Sequence, residues 1–285
     1  MLTKRPRIVV TGAASGIGRA VAEKLAQSSR LILTDINVEG LHAVAKQIEK
    51  QGGSVLHLPC DFAEEAQIRE LVDTITSQEK LDGLVHAAGV GPSQATCEKI
   101  LTINLLGTAI LLEAMTGVTN PNAALVLISS QASYFAAEWL SSAALEILKN
   151  PLRQDFGERI NKACEGHDLS LGTEAYGLAK MGVRVLAEEA AVRLGEQGIR
   201  VNTISPGIID TPMVHHEAKH LEGMDLMTQI TPLGRWGQPA EIAEAAAFLL
   251  SPAASFLTSA DLLVDGGSTK PMLALQRAMV TSTSS

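Results

Sequence analysis

A phenol and an ammonium stand one helical turn apart in Tyr176-Gly-Leu-Ala-Lys180. On a helix, positions i and i+4 share a face, so the Lys180 charge would favour the Tyr176 phenolate and make Tyr176 a candidate general acid/base. A free phenol titrates near about 10, too high for proton transfer at neutral pH, and a neighbouring cation is the usual means of lowering it. Chance alone can place a Tyr and a Lys at this spacing. The chain has two tyrosines, and the other, Tyr134, has Glu138 rather than a lysine four residues on.

The elements that must carry this pair follow an alternating pattern. Short apolar runs at Arg7–Thr11, Leu31–Asp35, Ser54–Cys60, Gly83–Ala87, Ala124–Ser129, Arg200–Ile204 and Asp261–Val264 read as strands. Helical periodicity falls between them, at Ile17–Gln27, Val38–Lys50, Glu64–Ser77, Glu98–Met115, Glu174–Gly195 and Ala240–Leu250. The pattern predicts an α/β fold, a doubly wound parallel sheet of seven strands. With 285 residues, 46% hydrophobic and 19% charged, one domain over 1–285 is expected, with 268–285 as a C-terminal tail. The run Thr281–Ser285 is expected to fray.

A formal charge of −8 argues against a nucleic-acid partner and leaves small molecules or other proteins. No apolar stretch has the length of a membrane span; after the basic start Met1–Arg7, the run Ile8–Val10 is too short for a signal peptide and reads as a buried strand. Cys60, Cys97 and Cys164 lack paired or metal-ligand spacing, so a reducing, cytoplasmic setting and no metal are expected.

The first strand runs into Thr11-Gly12-Ala-Ala-Ser15-Gly16-Ile17-Gly18 and a helix, a turn that lets a pyrophosphate approach the helix N-terminus. Asp35, ending the second strand, lies where a ribose 2′-hydroxyl would sit and selects NAD over NADP; its other reading is a cap for the next helix. Asp61, after the third strand, would either receive the adenine amino group or cap a helix.

These residues resemble the short-chain dehydrogenase/reductase family through Thr11-Gly-x-x-x-Gly16-Ile-Gly18, Asn104, Ser130 and Tyr176-x-x-x-Lys180, and further through Ser205-Pro206-Gly207-Ile-Ile-Asp-Thr211, Pro232-Leu-Gly-Arg235 and Val264-Asp-Gly-Gly267. The resemblance covers nearly the whole chain and implies a Rossmann-like fold with hydride transfer between a nicotinamide and a secondary alcohol or ketone. It implies that Tyr176 moves the proton and that Lys180 holds the nicotinamide ribose and lowers the Tyr176 pKa. Ser130 would bind the substrate oxygen, and Asn104 a water leading from Lys180 to solvent. Ser129 is the alternative serine, which strand alternation would turn to the other face. The cofactor-lining set implied is Gly12, Ser15, Gly16, Ile17, Gly18, Asp35, Asp61, Phe62, Ala88, Gly89, Tyr176, Lys180, Pro206, Gly207, Ile209 and Thr211.

Three places depart from the family pattern. His86-Ala87-Ala88-Gly89 replaces the usual Asn-Asn-Ala-Gly, so the contacts that steady the central sheet must be supplied otherwise, and Ser259 stands where glycine is common. The segment 134–172, before Tyr176, is long for a crossover. Leu140, Ala144, Leu145 and Leu148, then Leu152, Phe156, Ile160 and Ala163, predict two short helices that either cover the substrate mouth or change subunit contacts. Such a segment is similar to that of a bacterial 3α-hydroxysteroid dehydrogenase/carbonyl reductase subgroup. Met213–Ile230 corresponds to the family's substrate lid, with Met213, Leu221, Met224, Leu226 and Met227 suited to an apolar pocket. His216 and His220 have metal-like i,i+4 spacing but no acidic motif to complete a site.

The reading is an NAD-dependent enzyme for an apolar, alicyclic or steroid-like alcohol or ketone, assembled as a homodimer or homotetramer. Alternatives are a 3-oxoacyl-thioester reductase and a dinucleotide-binding scaffold without turnover.

Overall fold

The computed structural model describes residues 5–220 and 224–283. Leu221 of the expected lid lies outside them, as do Met1–Lys4 and the terminal Ser284 and Ser285.

Seven strands form one sheet: β1 (Arg7–Thr11), β2 (Arg30–Asp35), β3 (Ser54–Pro59), β4 (Leu81–His86), β5 (Thr119–Ile128), β6 (Arg200–Pro206) and β7 (Asp261–Val264). All pairings are parallel, in the order β3-β2-β1-β4-β5-β6-β7. Successive side chains leave opposite faces of a strand, so both faces need cover. Val9, Ile32, Leu84, Leu125 and Val201 enter the core on one side, while Ile8, Val10, Leu33, Val85, Val126 and Ile204 enter it on the other.

The second side is covered by α1 (Gly16–Leu25), α2 (Val38–Lys50) and α12 (Pro239–Leu250), the first by α3 (Glu65–Thr76), α5 (Gly107–Ala114) and α9 (Gly172–Leu194). Their stripes follow helical spacing; in α2 the buried residues are Leu41, Val44, Ala45 and Ile48. Asn37 starts this helix by accepting a hydrogen bond from the Gly40 amide at 3.0 Å. Burying Leu41 and Ile48 stabilises the fold by roughly 1.5–3 kcal/mol each.

The chain leaves β1 toward β2 on one side, then returns to place β4 on the other. This reversal opens a crevice at the C-terminal ends of β1 and β4, where ligands bind in open α/β sheets.

Two regions depart from the expected local structure. The helix expected over Glu98–Met115 is broken into α4 (Cys97–Leu101), a π turn (Thr102–Leu106) and α5, with the Gly107 amide reaching back to the Thr102 carbonyl. The segment before Tyr176 forms three short helices rather than two: α6 (Ala132–Ala137), α7 (Ser142–Leu148) and α8 (Phe156–Ala163). Ala144, Leu148, Phe156 and Ile160 are buried as their spacing requires, but Leu152 is exposed because it falls in the turn after Pro151 rather than on a helix. The tail after Ser268 is helical, α13 (Thr269–Thr283), and buries its Met272. The lid region supplies α10 (Pro212–His220) and α11 (Met224–Ile230).

Candidate active site

A cleft of about 340 Å³ occupies the crevice. Its floor is the turn between β1 and α1. Gly12 has φ +65°, and a Cβ there would press to 2.8 Å on the Ala87 and Ala88 backbone. A Cβ on Gly18 would strike the Gly12 carbonyl, so the helix can start this close to the strand only without a side chain. Ser15, the residue before α1, makes no side-chain cap, and the first turn of the helix carries no acid. The α1 amides and dipole are therefore available to an anion, as a pyrophosphate requires.

Asp35 lines the same cleft. Its carboxylate accepts from the Ala14 amide at 3.0 Å and the Asn37 amide at 2.8 Å, bracing the glycine turn against the start of α2. Asn37 is the helix cap, so the capping alternative for Asp35 is filled by its neighbour. Asp61 accepts from the Ala63 amide at 2.8 Å, and with Phe62, Ala88 and Gly89 it continues the wall. Pro206, Gly207, Ile209 and Thr211 close the far end; Thr211 also caps α10 through the Val214 amide at 3.3 Å. These side chains and open amides fit a dinucleotide.

The cleft ends at Ser130, Tyr176 and Lys180. Tyr176 and Lys180 lie on one face of α9, with Nζ 5.7 Å from the phenol ring centre. Lys180 is buried and donates to the Ile128 carbonyl at 3.0 Å, and burial pushes its pKa down to about 8. Burial pushes the Tyr176 phenol up to about 12, with the nearby Ser130 hydroxyl opposing this and Glu217 adding to it. The spacing of Tyr176 and Lys180 points to a lowered phenol pKa, whereas in the protein itself the net shift is upward and burial is its largest cause. Loss of hydration outweighs an ammonium whose proton is directed at a backbone carbonyl.

β5 ends at Ile128, so both serines lie beyond the strand and both line the cleft. Alternation therefore does not separate them. The Ser129 hydroxyl donates to the Lys180 carbonyl at 2.8 Å, which ties α9 to β5, and Ser130 is the serine that faces the phenol.

Asn104 lies in the π turn, 1% exposed. Its side chain accepts from the Val90 amide and donates to the Val90 carbonyl, each at 2.9 Å. These two bonds make the amide a clamp on the loop after β4. A Cβ on Gly89 would come within 2.9 Å of Asn104 Oδ1 and 3.5 Å of Lys180 Nζ, which explains the small residue at that position.

His86 supplies what the altered loop sequence had to replace. The Thr108 hydroxyl donates to the Asn104 carbonyl at 2.8 Å, so it accepts from His86 Nε2 at 2.9 Å. Nδ1 is then the acceptor for the Thr11 hydroxyl at 2.8 Å, and Thr11 Oγ1 in turn accepts from the Ala87 and Ala88 amides. One neutral imidazole thus joins β1, β4 and α5. Burial lowers its pKa to about 3, which keeps it neutral and the chain of donors in one sense.

A second cavity of about 300 Å³ meets the first at Ser130, Tyr176, Gly207, Met213 and Val214. Phe135, Ala136 and Trp139 from the segment before Tyr176, with Met227 of α11, give it apolar walls. Glu174, Glu217, Gln131 and Gln276 add polar groups. The segment thus lines this cavity with its first turns, while α7 and α8 pack into the core. Glu217 was missed from sequence. Its signal was an acid four residues after Met213 among apolar lid residues, a spacing that puts both on one helix face. Tyr134, the other tyrosine, is structural: its hydroxyl donates to Asp261 at 2.7 Å and Arg184 lies over its ring.

Comparison with known proteins agrees with this geometry. A family model described as short chain dehydrogenase matches residues 6–144, and one described as Enoyl-(Acyl carrier protein) reductase matches residues 140–269. The chain is 32% identical to the D-threitol dehydrogenase of Mycolicibacterium smegmatis, covering 92% of each protein. It is 31% identical to the cis-4-hydroxycyclohexanecarboxylate dehydrogenase of Sinomonas cyclohexanicum, over 92% of this chain and 95% of that one. The crystal structure of levodione reductase superposes with a TM-score of 0.74 at 28% identity, over 93% of this chain and 98% of the other. The protein belongs to the short-chain dehydrogenase family, oxidoreductases that interconvert alcohols and ketones with a nicotinamide dinucleotide.

Proposed function

We propose that this protein is an NAD-dependent dehydrogenase of compact alicyclic secondary alcohols, with Tyr176 as the proton-transfer residue. The observation that carries this reading is the meeting of the two cavities at Ser130 and Tyr176: one fits a dinucleotide, the other has a largely apolar ring-sized interior. A bound nicotinamide supplies or accepts the hydride. The Tyr176 phenolate removes the hydroxyl proton during oxidation, and the phenol returns it to the carbonyl-derived oxygen during reduction. Ser130 hydrogen-bonds that oxygen and fixes it against the phenol. Lys180 places a positive charge beneath the site, which favours the anionic oxygen as it forms. Asn104 acts by positioning, holding the Val90 loop over the cleft.

The preference for NAD is supported by Asp35. A 2′-phosphate would meet its carboxylate, and Lys180, at the opposite end, is the only Lys or Arg lining the cleft among the described residues. The cis-4-hydroxycyclohexanecarboxylate dehydrogenase and levodione reductase support a ring-shaped substrate. The thioester alternative is less supported, because the cavity carries two glutamates where a phosphate-bearing carrier arm would have to enter. Cys60, Cys97 and Cys164 are free thiols, which supports a reducing, cytoplasmic setting.

The test is Tyr176→Phe, assayed with cyclohexanols and steroids and titrated separately with NAD and NADP. Turnover should fall by about three orders of magnitude or more while NAD binding persists and exceeds NADP binding. Retained turnover removes the proton-transfer role; tighter NADP binding removes the one given to Asp35.

A further inference from the structure

Glu217 is an acid in the second cavity that proton transfer at Tyr176 does not use. It projects from α10 and is 6% exposed. One oxygen, Oε1, accepts from the Ser93 amide at 3.1 Å. The other, Oε2, is buried and has no hydrogen-bond partner among the described residues, and the Ser93 hydroxyl is likewise unpartnered. Gly91 makes room for this carboxylate, since a Cβ there would collide with Oε1. The fold therefore spends a glycine and a backbone amide on holding Glu217 in place, and the carboxylate so held belongs to a side chain that lines a substrate-sized cavity.

Buried acceptors are costly when unpaired and are ordinarily matched by a donor. The cavity that Glu217 lines also contains Ser130 and Tyr176, with Phe135, Trp139 and Met213 as apolar walls. A ring lying against those walls with its reacting oxygen at Ser130 would bring another part of its edge to Glu217. An ionised carboxylate accepts hydrogen bonds and donates none, so an ether, ketone or anionic substituent gains nothing there.

We propose that Glu217 determines specificity: its carboxylate accepts a hydrogen bond from a second hydroxyl of the substrate, which makes cyclic diols the preferred alcohols. The proposal rests on the reading that Ser130 and Tyr176 hold the reacting oxygen. The influence of Glu217 on the Tyr176 phenol places the two groups within electrostatic reach of each other.

Binding and turnover separate the two readings. Equilibrium binding of 1,2-, 1,3- and 1,4-cyclohexanediol, cyclohexanol, 4-methoxycyclohexanol and 4-aminocyclohexanol is followed in NAD-saturated Tyr176→Phe protein by tryptophan fluorescence, since Trp139 lines the cavity. The same panel is measured with Glu217→Leu and Glu217→Gln added, and initial rates are taken with Tyr176 intact. One diol should bind at least about fivefold tighter than cyclohexanol and its methyl ether, as a hydrogen bond to a charged group predicts. Glu217→Leu should bring that ratio to about one, with Glu217→Gln intermediate because it keeps a carbonyl acceptor. A smaller ratio, or one that persists in Glu217→Leu, overturns the proposal. Tighter Glu217-dependent binding of the amino alcohol than of any diol overturns the hydroxyl assignment. Activity surviving in Tyr176→Phe would instead overturn the proton-transfer reading, and the binding ratios would still decide the role of Glu217.

Discussion

At the residue scale, the site consists of groups held away from their ordinary acidities by burial. Lys180 is pushed down to about 8 and Tyr176 up to about 12, so the protein alone keeps the phenol protonated near neutral pH. Glu217 contributes to this, because a negative charge nearby makes a phenolate less favourable. Glu217→Gln removes that charge and should lower the Tyr176 pKa. In alcohol oxidation the base must be deprotonated, so the limb of kcat/KM that rises with pH should move to lower pH in this variant. A limb that stays in place or moves upward would show that Glu217 does not act on the phenol.

At the element scale, the π turn and the imidazole beneath it align the loop after β4 with α9. His86→Leu would leave the Thr11 and Thr108 hydroxyls without their ring partners, and the expected loss of stability is about 2–4 kcal/mol. The pH dependence has a definite sign. The folded pKa of His86, about 3, lies below the unfolded value near about 6.5, so the unfolded chain binds the extra proton. The stability tied to neutral His86 is complete above about 6.5 and is lost as pH falls toward about 3; near pH 5 the loss is on the order of 2 kcal/mol. Urea midpoints at pH 7.5 and 5 should therefore differ less in His86→Leu than in the wild type, and an equal difference would contradict the chain of donors. Before β7, Ser259 adopts φ +60°, the left-handed region that favours glycine. Ser259→Gly should raise stability by about 0.5–1 kcal/mol in thermal unfolding, and a lower melting temperature would show that its side chain matters more than its backbone strain.

At the scale of the whole molecule, the reversal between β1 and β4 creates the crevice, and the two cavities meet where α9 crosses its end. Phe256, which precedes β7, is fully exposed, and Phe248, Leu257 and Leu262 are exposed as well. We propose that these apolar side chains join copies of the chain into a homodimer or homotetramer. Light scattering should show a smaller species for Phe256→Asp than for the wild type, and an unchanged mass would exclude this role. No helix among the described residues is long and apolar enough to cross a membrane.

Much of this was legible in the chain itself, because local chemistry leaves local marks. Alternating apolar runs and helical stripes specified the parallel sheet, the glycine turn marked the strand-to-helix bend, and the spacing of Tyr176 and Lys180 put them on one helix face. Backbone sterics and hydrophobic periodicity act over a few residues, so they can be read from neighbours in sequence. The tertiary structure alone decided which groups lose water and which donors find acceptors. It shifted the Tyr176 phenol upward by burial, turned the Asn104 amide to Val90, inserted His86 between Thr11 and Thr108, and brought Glu217 to the cavity containing Tyr176. Desolvation and long-range hydrogen bonding depend on what packs across the fold, and no spacing along the chain records that.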